Sequence, residues 1–274
     1  MARSEGDGVS KRDGRGQGRR RRRGRLEDER PLEVRTGTRS REVRVLYVAC
    51  EGESTEPDYL RYLNDRFGRS DGEGRRPFRI QPVSRKNGMI PSEVVDAVRK
   101  FAAEDEAWAL FDRDEHHDIP QAAKDAAEHK VELAFSHPSF DLWLLLHFQA
   151  FSGAQSGSSK IVIEKLRKAK GAEAFKDYDK RNDKSVKGAR SKALEGREDK
   201  AVEHARGLVS SCAHASCKPG RAETEPIGRD AGSQSPQKWA ARSGHASDCQ
   251  ILGRDPSTDV WRLLISLGIH PSGG

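Results

Sequence analysis

The chain has 274 residues, and its 50 Lys and Arg against 43 Asp and Glu give a net charge of +7. Hydrophobic and charged residues make up 34% each and the mean hydropathy is −0.85, so one modest core with considerable unpacked chain is expected rather than two large domains. No apolar run approaches the roughly 20 residues of a membrane-spanning helix and no secretory leader is recognisable, so the expectation is a cytoplasmic protein with no membrane partner.

Residues 1–40 read as a disordered Arg/Gly-rich arm. The first 25 residues hold ten basic side chains, with Arg19, Arg20, Arg21, Arg22 and Arg23 in an unbroken run, against three acidic ones. That difference accounts for the whole net charge, so non-specific phosphate affinity belongs to the arm and not to the body. A solvated arm and a nucleic-acid tether are equally consistent with it.

From Arg41 the character changes. "EVRVLYVA" is a β-branched and aromatic run that predicts a buried strand. Tyr59, Tyr62, Leu63 and Phe67 then fall at helical spacing, with Ser54 or Thr55 as cap and Pro57 in the first turn, where no amide donor is needed. "PFRIQPVS" predicts a second strand. "PSEVVDAVRKFAA" predicts a helix burying Val94, Val98 and Phe101, and "AWALFD" a third strand ending at Asp112. "PQAAKDAAEH" reads as a short helix, "VELAFS" as a fourth strand and "SFDLWLLLHF" as a helix apolar all round, hence buried. Strands alternating with helices at this spacing imply an α/β fold with a mainly parallel sheet over 41–151.

Beyond it, 152–210 reads as a helical extension. "KIVIEKLRKAK" and "EDKAVEHARGLV" supply its helices, and "YDKRNDKSVKGARSK" a mobile polar loop. Residues 211–250 read as irregular or disordered, and 251–274 as a C-terminal helix capped by Ser257 or Thr258 and closed by Gly268. Of the four cysteines, Cys50 lies in the first strand as an ordinary buried thiol. Cys212, Cys217, His245 and Cys249 could form a zinc site, but the spacing fits no standard finger and the intervening chain is poor in apolar residues. Free thiols are the preferred reading.

In open parallel sheets ligands bind beyond the carboxyl ends of the strands. "CEGESTE" follows the first strand and "FDRDEHHD" the third, so neighbouring strands would bring Glu51 and Asp112 to one rim, with Asp114 on the same side in an extended chain. Three converging carboxylates without a basic partner in sequence call for a cation, and Mg2+ is the natural one, with Mn2+ an alternative. Glu53 and Glu56 extend the site, act as a base or, for Glu56, cap their own helix. Lys86, Ser136 and His137 are candidate phosphate contacts. His116 is a candidate for proton transfer, and Asp141 for either a dipole-stabilised carboxylate or support of the metal ligands.

The segments "VLYVACEGESTEPDYL", "WALFDRDEH" and "SHPSFDLWLLLHF", with "DPSTDVWRLL" near the end, resemble the RloB-like proteins, bacterial members of the Toprim superfamily. The resemblance runs from Arg41 to Phe151, is scattered to Ala205 and returns from Asp255 to Leu264; 211–250 falls outside it. It implies a Toprim-like (Rossmannoid) core. It also implies that Glu51 is the Toprim glutamate and that Asp112 and Asp114 are the Asp-x-Asp pair, together binding Mg2+ for phosphodiester cleavage. By the same resemblance the chain is a nuclease-type effector of phage defence and abortive infection, linked to restriction-modification loci. Its partners would be DNA or RNA, a defence-system ATPase or restriction-modification protein, and a second copy of itself. The alternative is a catalytically silent nucleotide- or nucleic-acid-binding subunit acting through a partner. No primase or topoisomerase accessory domain and no tyrosine nucleophile domain is recognisable.

Because the excess charge sits in the arm, removing residues 1–25 is expected to weaken non-specific nucleic-acid binding and to flatten its dependence on salt, leaving the melting temperature unchanged. Fluorescence anisotropy with a labelled oligonucleotide over a salt series measures this. An unaltered slope would reduce the arm to a solubility device.

Overall fold

A computed structural model of the protein describes residues 43–69, 75–114, 116–154, 158–228 and 230–269. The basic arm, with Arg19 to Arg23, lies outside the described residues. A five-stranded sheet is formed by β1 (Arg44–Cys50), β2 (Phe78–Val83), β3 (Glu106–Asp112), β4 (Glu132–His137) and β5 (Ser257–Thr258). Its order is β2-β1-β3-β4-β5, parallel except for the antiparallel β5.

Side chains alternate across a strand, and here they divide between two cores. Leu46, Val48, Cys50, Trp108 and Leu110 face one layer of helices: α1 (Thr55–Phe67), α4 (Phe140–Leu146), α5 (Lys160–Lys168), α7 (Glu198–Ser210) and α9 (Val260–Ser266). Ala49, Ala107, Ala109, Phe111, Leu133 and Phe135 face the other, formed by α2 (Pro91–Arg99), α3 (Ile119–His129) and Trp239 of α8 (Pro236–Ala240). Every residue of α4 is buried, as its uniformly apolar sequence predicts. No described helix is long and apolar enough to cross a membrane.

Three expectations for the C-terminal half need correction. Ser257 and Thr258 do not cap the last helix. They pair with His137 and Ser136 as β5, and the Ser136 and Thr258 hydroxyls meet at 2.9 Å, so α9 begins only after Asp259. The polar loop after Tyr178 is tied to α1 and not left as free chain: the Thr55 hydroxyl donates to the Lys184 carbonyl at 3.0 Å, and the Val186 amide donates to Asp58 at 3.2 Å. The last four residues of that loop enter a further short helix, α6 (Ala189–Leu194). Residues 211–250 are not simply irregular or disordered chain: they include α8, and Trp239, Arg242 and His245 within them are buried.

That packing rests on a charge sequence reading passed over. Glu132 of β4 is buried at 2% exposure, a position that would be costly without partners. Arg262 of α9 meets one of its oxygens at 2.8 Å and Arg242 the other at 3.0 Å. Arg262 also donates to the carbonyls of Leu133 and Glu223, and Arg242 to that of Glu225. The sheet, the last helix and the irregular segment are therefore joined through one carboxylate. Replacing Glu132 with Ala leaves two buried guanidinium groups without their shared counter-charge and is expected to cost about 3–5 kcal/mol. Urea unfolding measures it, and a loss below ~1 kcal/mol would contradict this account of the packing.

Candidate active site

The neighbouring β1 and β3 put their carboxyl ends side by side. Leu110 accepts the Glu51 amide at 3.0 Å, extending the pairing one residue past β1. One Glu51 carboxylate oxygen then accepts the Asp112 amide at 2.9 Å, and the other lies 2.8 Å from His116 Nε2. Asp112 is the last residue of β3. Asp114 sits not in extended chain but in a turn, at φ +26°. Its amide reaches the Pro138 carbonyl at 3.3 Å, and the Arg113 guanidinium closes the turn on the carbonyls of Asp114 and His116. Glu51, Asp112 and Asp114 nevertheless line one cavity of about 600 Å³.

Gly52 leaves room beside them for the Glu56 side chain. A Cβ there would come within 2.6 Å of the Glu56 carboxylate, which folds back over the first turn of α1 and accepts the amides of Glu56 and Gly52. Glu56 thus lines the cavity from the first turn of α1.

Burial makes this crowd of acids expensive. Asp112 is held well above the ordinary carboxylate range, first by desolvation and then by the charges of Glu51, Glu56 and Asp114. Desolvation raises Glu51 as well, although the Asp112 amide and His116 pull it back. Glu56 is pushed up to about 7 by desolvation, against its amide partners and together with the charges of Glu51 and Asp141. The cavity without a cation therefore favours bound protons.

Lys184 is a candidate site residue that the sequence did not single out. Its ammonium lies 3.0 Å from Asp141, and it is the one Lys or Arg among the described residues lining the cavity. Burial alone would lower its pKa, but Asp141, Asp179 and Asp112 outweigh that and raise it. The Tyr178 hydroxyl donates to the other Asp141 oxygen at 2.5 Å, and Ser139 donates at 3.1 Å to the oxygen shared with Lys184. Asp141 is thereby a buried anchor for the 178–184 loop. No periodicity or motif marks Lys184; only folding brings it beside Asp141, 43 positions earlier in the chain.

The remaining candidates separate. Glu53 reaches the lip of the cavity, where it accepts the Asn87 amide at 3.4 Å. Lys86 is exposed in the same turn and does not line the cavity. Ser136 and His137 are buried at the β4–β5 seam, away from the cavity lining, with His137 3.5 Å from Asp255. Elsewhere, Cys212, Cys217, His245 and Cys249 are drawn into one cluster, and none of the cysteines is in a disulfide.

A family model described as RloB-like protein matches residues 46–267. The match runs through 211–250, which the motif resemblance left out. No curated protein and no solved structure matches the chain.

The Glu56 carboxyl gives a pH dependence of known sign. Its pKa rises from 4.5 to about 7 on folding, so the folded state holds the extra proton; the resulting stability is present below pH 4.5 and lost as pH rises through 7. Between pH 5 and 8 the wild type is expected to lose up to about 3 kcal/mol relative to Glu56→Gln. Urea melts of both proteins at the two pH values test this; parallel pH profiles would contradict it.

Proposed function

The chain belongs to the RloB-like protein family, and from that premise we propose that it is a Mg2+-dependent nuclease, cleaving phosphodiester bonds of DNA or RNA in bacterial phage defence. The observation carrying this reading is the meeting of Glu51, Asp112 and Asp114 around one cavity at the carboxyl edge of the sheet. A glutamate after the first strand and an Asp-x-Asp pair after the third is the Toprim arrangement that the motifs resemble.

The donor set fits the ion. All three side chains offer hard carboxylate oxygens, suited to Mg2+ or Mn2+ and poorly suited to softer metals. Glu51 already accepts two hydrogen bonds, but a carboxylate has about four acceptor positions, leaving room for a ligand. When bound, Mg2+ neutralises these carboxylates and stabilises charge on a phosphate.

The chain's own groups suit a phosphate substrate in other ways. Lys184 sets a positive charge in an otherwise acidic cavity, where it can meet a non-bridging phosphate oxygen. His116, joined to Glu51, is placed to hold or pass a proton at the Glu51 carboxylate. Glu53 lies at the lip and supports the 87–88 turn, so its neutralisation is expected to have a milder effect.

The test is cleavage of plasmid, single-stranded DNA and tRNA by the purified protein with Mg2+ or Mn2+. Asp112→Asn is expected to reduce metal-dependent cleavage by about 100-fold or more, a loss of about 3 kcal/mol in transition-state stabilisation. The same variant should lose any rise in melting temperature produced by Mg2+. Full cleavage by a folded Asp112→Asn protein would overturn the reading.

A further inference from the structure

Beyond the carboxylate site, we propose that Cys212, Cys217, His245 and Cys249 hold a structural zinc ion. The four come from two places: the turn following α7 supplies Cys212 and Cys217, and the loop following α8 supplies His245 and Cys249. Their ligand atoms all lie within 4.8 Å of one another.

Three of the separations are close to those of a tetrahedral site. Zn–S bonds of about 2.3 Å and Zn–N bonds of about 2.0–2.1 Å place two sulfurs ~3.8 Å apart and a sulfur ~3.6 Å from a nitrogen. Cys212 and Cys249 Sγ are 3.8 Å apart, and His245 Nδ1 lies 3.3 Å from Cys217 Sγ and 3.9 Å from Cys249 Sγ. A disulfide requires about 2.0 Å between sulfurs, and no pair approaches it.

Burial raises the Cys217 and Cys249 thiols, but one donor favours a thiolate. The Ala246 amide points at Cys217 Sγ at 3.4 Å, a donor that stabilises negative sulfur. Gly244 lies just before this turn at φ +92°, where a Cβ would come within 2.5 Å of the Lys218 carbonyl. The Lys218 amide in turn donates to the Gly244 carbonyl at 2.8 Å, so the two ligand-bearing loops are joined beside the cluster. The apolar material is scant: Val209 and Ala246 are its buried members besides Cys217 and Cys249. That is too little to order a polar segment by burial alone.

An ion here would secure both ends of the stretch from 217 to 245. This stretch contains Glu223, Glu225 and Arg242, through which the irregular segment reaches Arg262 and Glu132. The two proposed sites are chemically distinct, since sulfur and imidazole select zinc where carboxylate oxygens select Mg2+. Zinc therefore serves architecture, not the reacting centre.

The full-length protein, purified under reducing conditions without added chelator, is expected to contain about one zinc ion per chain. Plasma mass spectrometry supplies the count. Cys217→Ser and Cys249→Ser are expected to lose the metal and melt several degrees lower, whereas His245→Cys, which keeps four ligands, should retain it. Cobalt exchanged into the wild type gives a second readout independent of mutant folding: intense visible absorption of tetrahedral Co2+ with sulfur charge-transfer bands. Zinc-free protein that takes up no cobalt into such a site would overturn the proposal. So would a Cys212–Cys249 disulfide in the reduced preparation, or undiminished zinc in a folded Cys217→Ser variant.

Discussion

Negative charge removed from water is the constraint around which the molecule is arranged. Parallel pairing of β1 with β3 forces Glu51 and Asp112 together, and the backbone deepens the crowding because the Asp112 amide holds Glu51 in place. Glu56 adds a further buried carboxylate from the first turn of α1, and the exposed Asp114 adds its charge from the following turn. In a low-dielectric pocket each ionised group raises the free energy of ionising the next. The fold can relieve this with protons, with the Lys184 ammonium, or with a divalent cation. A divalent cation differs from the first two in that repulsion between the acids would become affinity for it.

The half of the chain after Phe151 completes the core. Thr55 and Asp58, in the first turn of α1, hold the loop that delivers Lys184, so the helix that follows Glu51 also positions the cavity's counter-charge. On the far side of β3, Glu132 joins β4 to α9 and to the irregular segment through Arg262 and Arg242. Paired buried charges add little net stability over apolar packing, but they are severe about geometry, since losing one partner strands the others. Such pairs suit a segment with few apolar side chains. A metal cluster suits it for the same reason, because a few strong bonds can replace a broad apolar interface.

The parallel sheet was legible because its strands are short, apolar and separated by helices of regular periodicity; the runs that carry Leu46, Val48 and Trp108 read as strands from their apolar composition. The rim followed from strand order, since adjacent strands must share an edge. Other features left no such trace. Lys184 lies in a polar run whose composition resembles solvated chain, and only its contacts with Asp141 and α1 distinguish it. Ser257 and Thr258 form a strand too short to show alternation, directly ahead of a helix they seemed suited to cap. Glu132 looks like the solvent-facing residue of a half-buried strand until Arg262 arrives from 130 positions away. The four residues of the cysteine cluster, by contrast, were recognisable as a set, but their spacing and the long polar stretch between the halves gave no reason for them to meet, and only tertiary structure draws them together.

The most direct measurement is a crystal structure of the full-length protein soaked in Mn2+, with anomalous scattering recorded to locate the ion. The account predicts a peak in the cavity coordinated by Asp112 and Asp114 beside Glu51, diminished by excess Mg2+ and absent from Asp112→Asn crystals. Crystals with the cavity open to solvent and no manganese beside those carboxylates at saturating concentration would contradict it.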